Sequence, residues 1–242
     1  MKKKILSLCL VVALAATAVI GGTLAYFTDT DTQTNVFTAG DIKIDIEEIF
    51  PEDELMPGTA TDNNLQKEVY VKNTGSNNAY MWIEVLIPAA LDTPENASQN
   101  DLHFNYYDTY EDSEGNLVVC SSAVAKANGY TGPKFVINEV YMGETTIGEG
   151  EAAVTYNRYL HYTENDTAKA KEEKTAALLA QVYMDKDIEQ CTENHEDCLV
   201  LKDGTHYTGA WELIINAYGI QSQGFDTIGE AINAYYETEV IK

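Results

Sequence analysis

Apolar and polar residues alternate with a period of two in one stretch after another of this chain. That pattern points to a protein built from short half-buried strands. Ile42, Ile44 and Ile46 alternate with Asp41, Lys43 and Asp45. A period of two sends successive side chains to opposite faces, so each such stretch reads as a strand with one buried side. Val69 and Val71 lie between Lys67 and Lys72. Residues 73–78 are dense in turn formers, and residues 80–87 then read as a strongly apolar strand stopped by Pro88. The two stretches are expected to form a hairpin-like pair. A second hairpin is expected over 104–120, with its turn at 113–116. Residues 134–141 and 153–162 are further strand candidates. Asp203-Gly204 separates Leu199, Val200 and Leu201 from His206 and Tyr207. That dipeptide fits the backbone twist of a tight hairpin turn. Trp211, Leu213, Ile215 and Ala217 put one apolar face on a late strand.

Two segments carry helical signals. Residues 168–180 are rich in Ala, Lys, Glu and Leu, all good helix formers, with Asp166 or Thr167 placed to cap them. Near the end of the chain Thr227 and Glu230 stand at capping-box spacing, and Ile228, Ala231, Ile232 and Tyr235 share one face. Many short strands and two helical pieces predict a mainly β jelly roll or β-sandwich with a helical insertion and a short C-terminal helix. The polar stretch 92–101 is expected to be a surface loop.

The charge narrows the function classes. The formal net charge is −24 over 242 residues. Such a surface repels nucleic acid and anionic head groups, and it favours solubility, cations and basic partners. Nucleic-acid binding is therefore excluded as an expectation. Lys2, Lys3 and Lys4 precede an uncharged apolar run over 5–20, which Gly21 and Gly22 break, and small residues stand at Thr23 and Ala25. This is the three-part layout of a secretory signal peptide, so residues 1–25 are expected to be removed and the protein to act outside the cell. Cys9 lies within that segment. Cys120, Cys191 and Cys198 remain, an odd number that is no disulfide framework. Cys191 and Cys198 can close a small loop in an oxidising compartment, leaving Cys120 free.

The start of the chain carries more than class information. The run 21–29, GGTLAYFTD, leads through a polar stretch to 35–42, NVFTAGDI. The later blocks 69–76, VYVKNTGS, and 217–225, AYGIQSQGF, follow in order. In these blocks the chain resembles the TasA/camelysin family of secreted bacterial proteins, over roughly its first 90 and last 35 residues with a divergent middle. The resemblance implies cleavage between Ala25 and Tyr26 by a signal peptidase of the SipW type. It also implies a jelly-roll domain over 41–242, with a divergent insertion at about 92–205, and a role as the subunit of biofilm matrix fibres. In such fibres a freed N-terminal segment inserts into the next subunit as a strand, where main-chain hydrogen bonds supply affinity. Here residues 26–40 would be the donor segment, with Tyr26, Phe27, Val36 and Phe37 as its anchors. The alternative is a tail that stays loose or pairs within its own subunit. The partners implied are other copies of the chain, the signal peptidase and an accessory matrix protein.

Catalytic chemistry has weaker support in the residues. Some members of that family carry the name metallopeptidase. A helical zinc site needs two histidines four apart with a glutamate beside the first. His103, His161, His195 and His206 do not form it. No catalytic residue, cofactor or metal is therefore expected, and the alternatives are a camelysin-like metalloprotease or a monomeric adhesion module. Cys191, His195 and Cys198 have spacing compatible with a soft metal, with Glu193, Glu196 or Asp197 nearby, but a fourth ligand is not obvious, and a disulfide or plain loop is the simpler expectation. Asp29, Thr30 and Asp31 look like the start of a calcium loop but lack its glycine and closing glutamate, so they are read as a polar strand. The acidic residues Glu47, Glu48, Glu52, Asp53 and Glu54 are expected to face solvent. The sixteen tyrosines are expected mostly to pack on sheets.

Overall fold

The computed structural model describes residues 28–31, 42–49, 57–59, 66–191, 198–209 and 213–241. The expected export segment, the expected cleavage point at Ala25 and Tyr26, and the expected anchors Phe27, Val36 and Phe37 lie outside the described residues, as do His195 and Trp211.

Two five-stranded sheets face each other. The first has the order β1 (Thr28–Asp31), β16 (Ile214–Gln221), β5 (Ala79–Pro88), β11 (Val154–Thr163) and β10 (Ile137–Ile147). All its pairings are antiparallel. The second has the order β2 (Ile44–Ile49), β4 (Gln66–Asn73), β12 (Leu179–Asp185) and β3 (Pro57–Gly58), with β6 (Leu102–Asn105) also paired to β12. The alternation seen in the sequence is what fills the space between them. Ile44, Val69 and Val71 meet Met81, Ile83, Val85 and Ile87 in one buried cluster, joined by Leu102, Leu178, Leu179 and Val182. The protein is a β-sandwich with a short C-terminal helix.

β5 is buried along its whole length. Its odd-numbered residues face the second sheet, and Tyr80 and Trp82 point the other way. The helix α2 (Ile228–Tyr236) covers that outer face with Ile228, Ala231 and Ile232. The helix starts where the capping box predicts. Thr227 Oγ1 accepts from the Glu230 N–H at 3.2 Å, and Glu230 Oε2 accepts from the Asp226 N–H at 2.8 Å. These satisfy two backbone groups around the helix start.

Smaller elements complete the chain. β7 (Thr109–Glu111) and β8 (Leu117–Val119) form the expected hairpin, joined by β9 (Thr131–Phe135). β13 (Glu189–Gln190), β14 (Leu199–Val200) and β15 (His206–Tyr207) form a separate three-stranded sheet around the Asp203-Gly204 turn. There Gly204 has φ +83°, as the turn requires.

Two expectations are corrected. Residues 168–180 are not a helix. Lys169 exchanges backbone hydrogen bonds with Ala79, the Thr175 N–H donates to the Val71 carbonyl, and the Leu178 N–H donates to the Val69 carbonyl. The run from Ala176 through Ala180 is buried without interruption and leads into β12. Helix propensity is a weak prior, and here pairing with the second sheet overrides it. The inserted helix is α1 (Ser122–Asn128), which is capped by Ser121 and ended by Gly129 in the left-handed region. The second correction concerns β4 and β5. They are not a hairpin, because β4 lies in one sheet and β5 in the other. The polar loop at 74–78 crosses the sandwich. Asn73 holds its start, donating from Nδ2 to the Asn77 and Lys169 carbonyls and accepting from the Gly75 N–H.

Candidate functional site

A cleft of about 480 Å³ opens between β6, β10, β11 and the loop that follows β5. The loop after β5 is the polar stretch 92–101, and it does not simply face solvent. Asp92 is buried and organises the cleft floor. Its Oδ1 accepts from Asn100 Nδ2 at 2.7 Å, and its Oδ2 accepts from Asn157 Nδ2 at 2.8 Å and from the Tyr159 hydroxyl. Three neutral donors therefore hold one buried carboxylate. Burial pushes its pKa up, and the hydrogen bonds from Tyr159 and Asn157 oppose that shift. Burial and the Asp92 carboxylate together push the Tyr159 phenol well above its ordinary range.

Glu139 lines one wall, and His161 lies buried behind it. They are Cα partners on β10 and β11. His161 is fully buried, with Nε2 at 3.1 Å from Glu139 Oε2 and Nδ1 at 2.8 Å from the Leu178 carbonyl. Both ring nitrogens are engaged. Phe104 and Tyr106 pack against its ring, with centroids 5.5 and 5.1 Å away. His103 forms the opposite rim. It stacks on Tyr183 at 4.7 Å and 10°, and its Nε2 lies 2.8 Å from Asp185 Oδ2. Lys202 Nζ donates to the same carboxylate oxygen at 2.9 Å. Burial works against the charged form of Asp185. The hydrogen bonds from Lys202, the Asp187 N–H and His103 outweigh it and hold its pKa at about 2. The lining is thus rich in carboxylate, amide, aromatic and imidazole groups, and among the described residues no lysine or arginine lines it. Such a surface repels anions and accepts neutral polar or cationic groups.

Of the residues singled out in the sequence, Asp29, Thr30 and Asp31 lie in β1, as a polar strand should. Glu47 and Glu48 sit on β2 beside Lys72 at 3.7 Å and Lys67 at 3.0 Å. Cys191 and Cys198 are joined by a disulfide, and Cys120 is free and buried. The residue that structure adds to the cysteine pair is His206. Among the described residues, Cys191, Cys198 and His206 are the one group of three or more His, Cys, Asp and Glu ligand atoms lying within 4.8 Å of one another. Sequence spacing misses His206 because the hairpin at Asp203-Gly204 brings it back. The cleft was equally hidden, since its residues come from four separated segments.

Comparison with known families places the N-terminal part of this architecture. Residues 1–102 match the family model described as camelysin metallo-endopeptidase. Over those residues, less than half of its length, the chain is similar to the camelysin family. The resemblance read from the start of the sequence is borne out there. No curated protein and no solved structure matches the chain. The camelysin match ends at the first residue of β6, so it includes Asp92 and Asn100 but not His103, Glu139, Tyr159 or His161. The name implies a catalytic metal. A catalytic zinc takes three protein ligands converging on one point with a position left for water. Behind the cleft both nitrogens of His161 are occupied, and no three ligand atoms of the described residues converge in the cleft. The cleft residues do not fit that group. No helix among the described residues is long and apolar enough to cross a membrane.

Proposed function

We propose that this camelysin-like protein is a secreted structural subunit of biofilm matrix fibres, assembled by exchange of the N-terminal strand. The observation that supports the reading is the position of β1. It begins at the residue after Phe27, lies at the edge of the first sheet, and in the single chain pairs within its own subunit with β16, in the register Thr28↔Ile220 to Asp31↔Ala217 that an incoming copy would take over. A terminal edge strand is the element that a second copy can replace without disturbing any other pairing, because the incoming strand repeats the same main-chain ladder. Cleavage between Ala25 and Tyr26 would free residues 26–40 to reach a neighbour, with Tyr26, Phe27, Val36 and Phe37 as anchors. The partners are other copies of the chain, the SipW-type signal peptidase, and an accessory matrix protein. The domain divisions at residues 25 and 40 belong to the same reading.

The test is a pair of cysteines, Asp31→Cys with Ala217→Cys, in a Cys120→Ser background. These positions face each other across β1 and β16. Strand exchange predicts that oxidised fibres run as a ladder of covalent oligomers on a denaturing gel. If the bond forms only within single chains while fibres are present, exchange of this strand is wrong. A chain beginning near Phe37 should keep its sheet spectrum and lose fibres. Casein cleavage and zinc analysis on the same preparation test the metallo-endopeptidase alternative.

A further inference from the structure

Cys191, Cys198 and His206 sit on the small sheet β13–β14–β15, away from the strand that the proposed assembly uses. Cys191 follows β13 and Cys198 precedes β14, with the Cys191 N–H donating to the Cys198 carbonyl at 3.1 Å. His206 opens β15 and pairs with Val200. We infer that, once the disulfide is reduced, these three side chains form a site for a soft or borderline divalent metal such as zinc.

The geometry points to one shared ion. Ligand atoms of the three residues lie within 4.8 Å of one another. Zinc bonds to thiolate and imidazole of about 2.3 and 2.0 Å place tetrahedral ligands roughly 3.5–3.8 Å apart. Small movements of side chains therefore suffice. Two thiolates and an imidazole favour zinc over calcium or magnesium, which take oxygen.

The platform is held in place independently of the disulfide. Leu201 is buried in the main core. The Lys202 N–H donates to Asp101 at 2.9 Å, and its Nζ donates to the Ser98 carbonyl at 2.7 Å and to Asp185. The turn is closed by the Leu201 N–H donating to the Thr205 carbonyl at 2.8 Å. Cys198 and His206 thus keep their relative placement whatever the state of the sulfurs.

Disulfide and metal exclude one another, since each takes both sulfurs. An external dithiol reduces the bond by exchange, giving two cysteine thiols and the oxidised, cyclic disulfide of the reductant. Metal binding then releases one proton from each thiol, and His206 binds through a neutral nitrogen. The site is therefore open to metal in reducing surroundings and closed in oxidising ones.

Cobalt(II) is the probe. The purified chain carrying Cys120→Ser is reduced with a phosphine, desalted without oxygen and titrated. One equivalent should bind, with a thiolate-to-cobalt charge-transfer band in the near ultraviolet and the visible bands of a tetrahedral ion, all abolished by zinc. The oxidised chain should show neither. His206→Ala, at an exposed position, should keep its circular dichroism and both titratable thiols while losing at least about tenfold in cobalt affinity. A reduced chain without the charge-transfer band overturns the inference. So does a His206→Ala variant that titrates like the parent. Neither result bears on fibre formation.

Discussion

Arg158 Nη2 donates to Glu84 Oε1 at 2.6 Å, joining β11 to β5 on the face that α2 covers. Arg158 is the sole arginine of the chain, and its partner is 3% exposed. The hydroxyls of Tyr236 and Tyr218 donate to the same carboxylate at 2.8 and 3.0 Å. Removing one partner of a buried pair strands the other charge. Arg158→Met should therefore destabilise the fold by about 3 kcal/mol, the partial exposure of Arg158 keeping the loss at the lower end of the usual range. Adding Glu84→Gln should recover part of that loss. Urea unfolding of the two single variants and the double variant checks both statements.

The cleft floor makes a second prediction. Asp92→Ala leaves Asn100, Asn157 and Tyr159 without their shared acceptor. The expected loss is about 3 kcal/mol, the cost of several buried donors left unpaired. Asp92→Asn should also destabilise, by about 2 kcal/mol, because its amide nitrogen must face groups that donate. Thermal unfolding in parallel with the parent is the measurement.

Asp185 gives a pH dependence of defined sign. Its folded pKa is about 2, below the ordinary 3.8. The contribution of its bonds to Lys202 and His103 is therefore complete above pH 3.8 and is lost as pH falls through about 2. Asp92, Asp101 and Asp166 shift upward, chiefly by burial, so they oppose this trend in the whole protein. The Asp185→Asn difference isolates the one group. The stability gap between parent and variant should shrink by about 1 kcal/mol on acidification, a figure discounted for solvent screening. A gap independent of pH would refute the assignment.

The helix cap is a local test. Thr227→Ala removes the acceptor for the Glu230 N–H. A loss of about 1 kcal/mol is expected, typical of an N-cap. Ser in its place should restore most of it.

These residues also show what could be read in advance. β2, β4, β5, β11, the β14–β15 hairpin, β16 and α2 were legible because their signals are local: alternation, a turn dipeptide, a cap. The segment 168–180 was not. Its composition suits a helix, and only Val69, Val71 and Ala79, some hundred residues earlier, draw it into extended pairing. Sheet assignment was likewise hidden, since nothing in residues 74–78 states that the chain leaves one layer for the other. The candidate cleft was least legible. Asp92 looked like a residue of a polar loop, and its burial depends on Asn157 and Tyr159 arriving from another strand. His206 was visible as a residue of a hairpin, but its nearness to Cys198 needs three strands in register.

The burial of β5 on both faces has a consequence for how the molecule is made. Trp82 is sealed by rings from the last element, with Tyr235 at 5.3 Å edge-on, while Tyr218 from β16 stacks at 6.1 Å. Until α2 has been synthesised, the central strand carries an aromatic stripe with nothing to cover it. The sandwich therefore cannot close cooperatively from its N-terminal half alone, and a ribosome-bound chain keeps that stripe open until α2 has emerged.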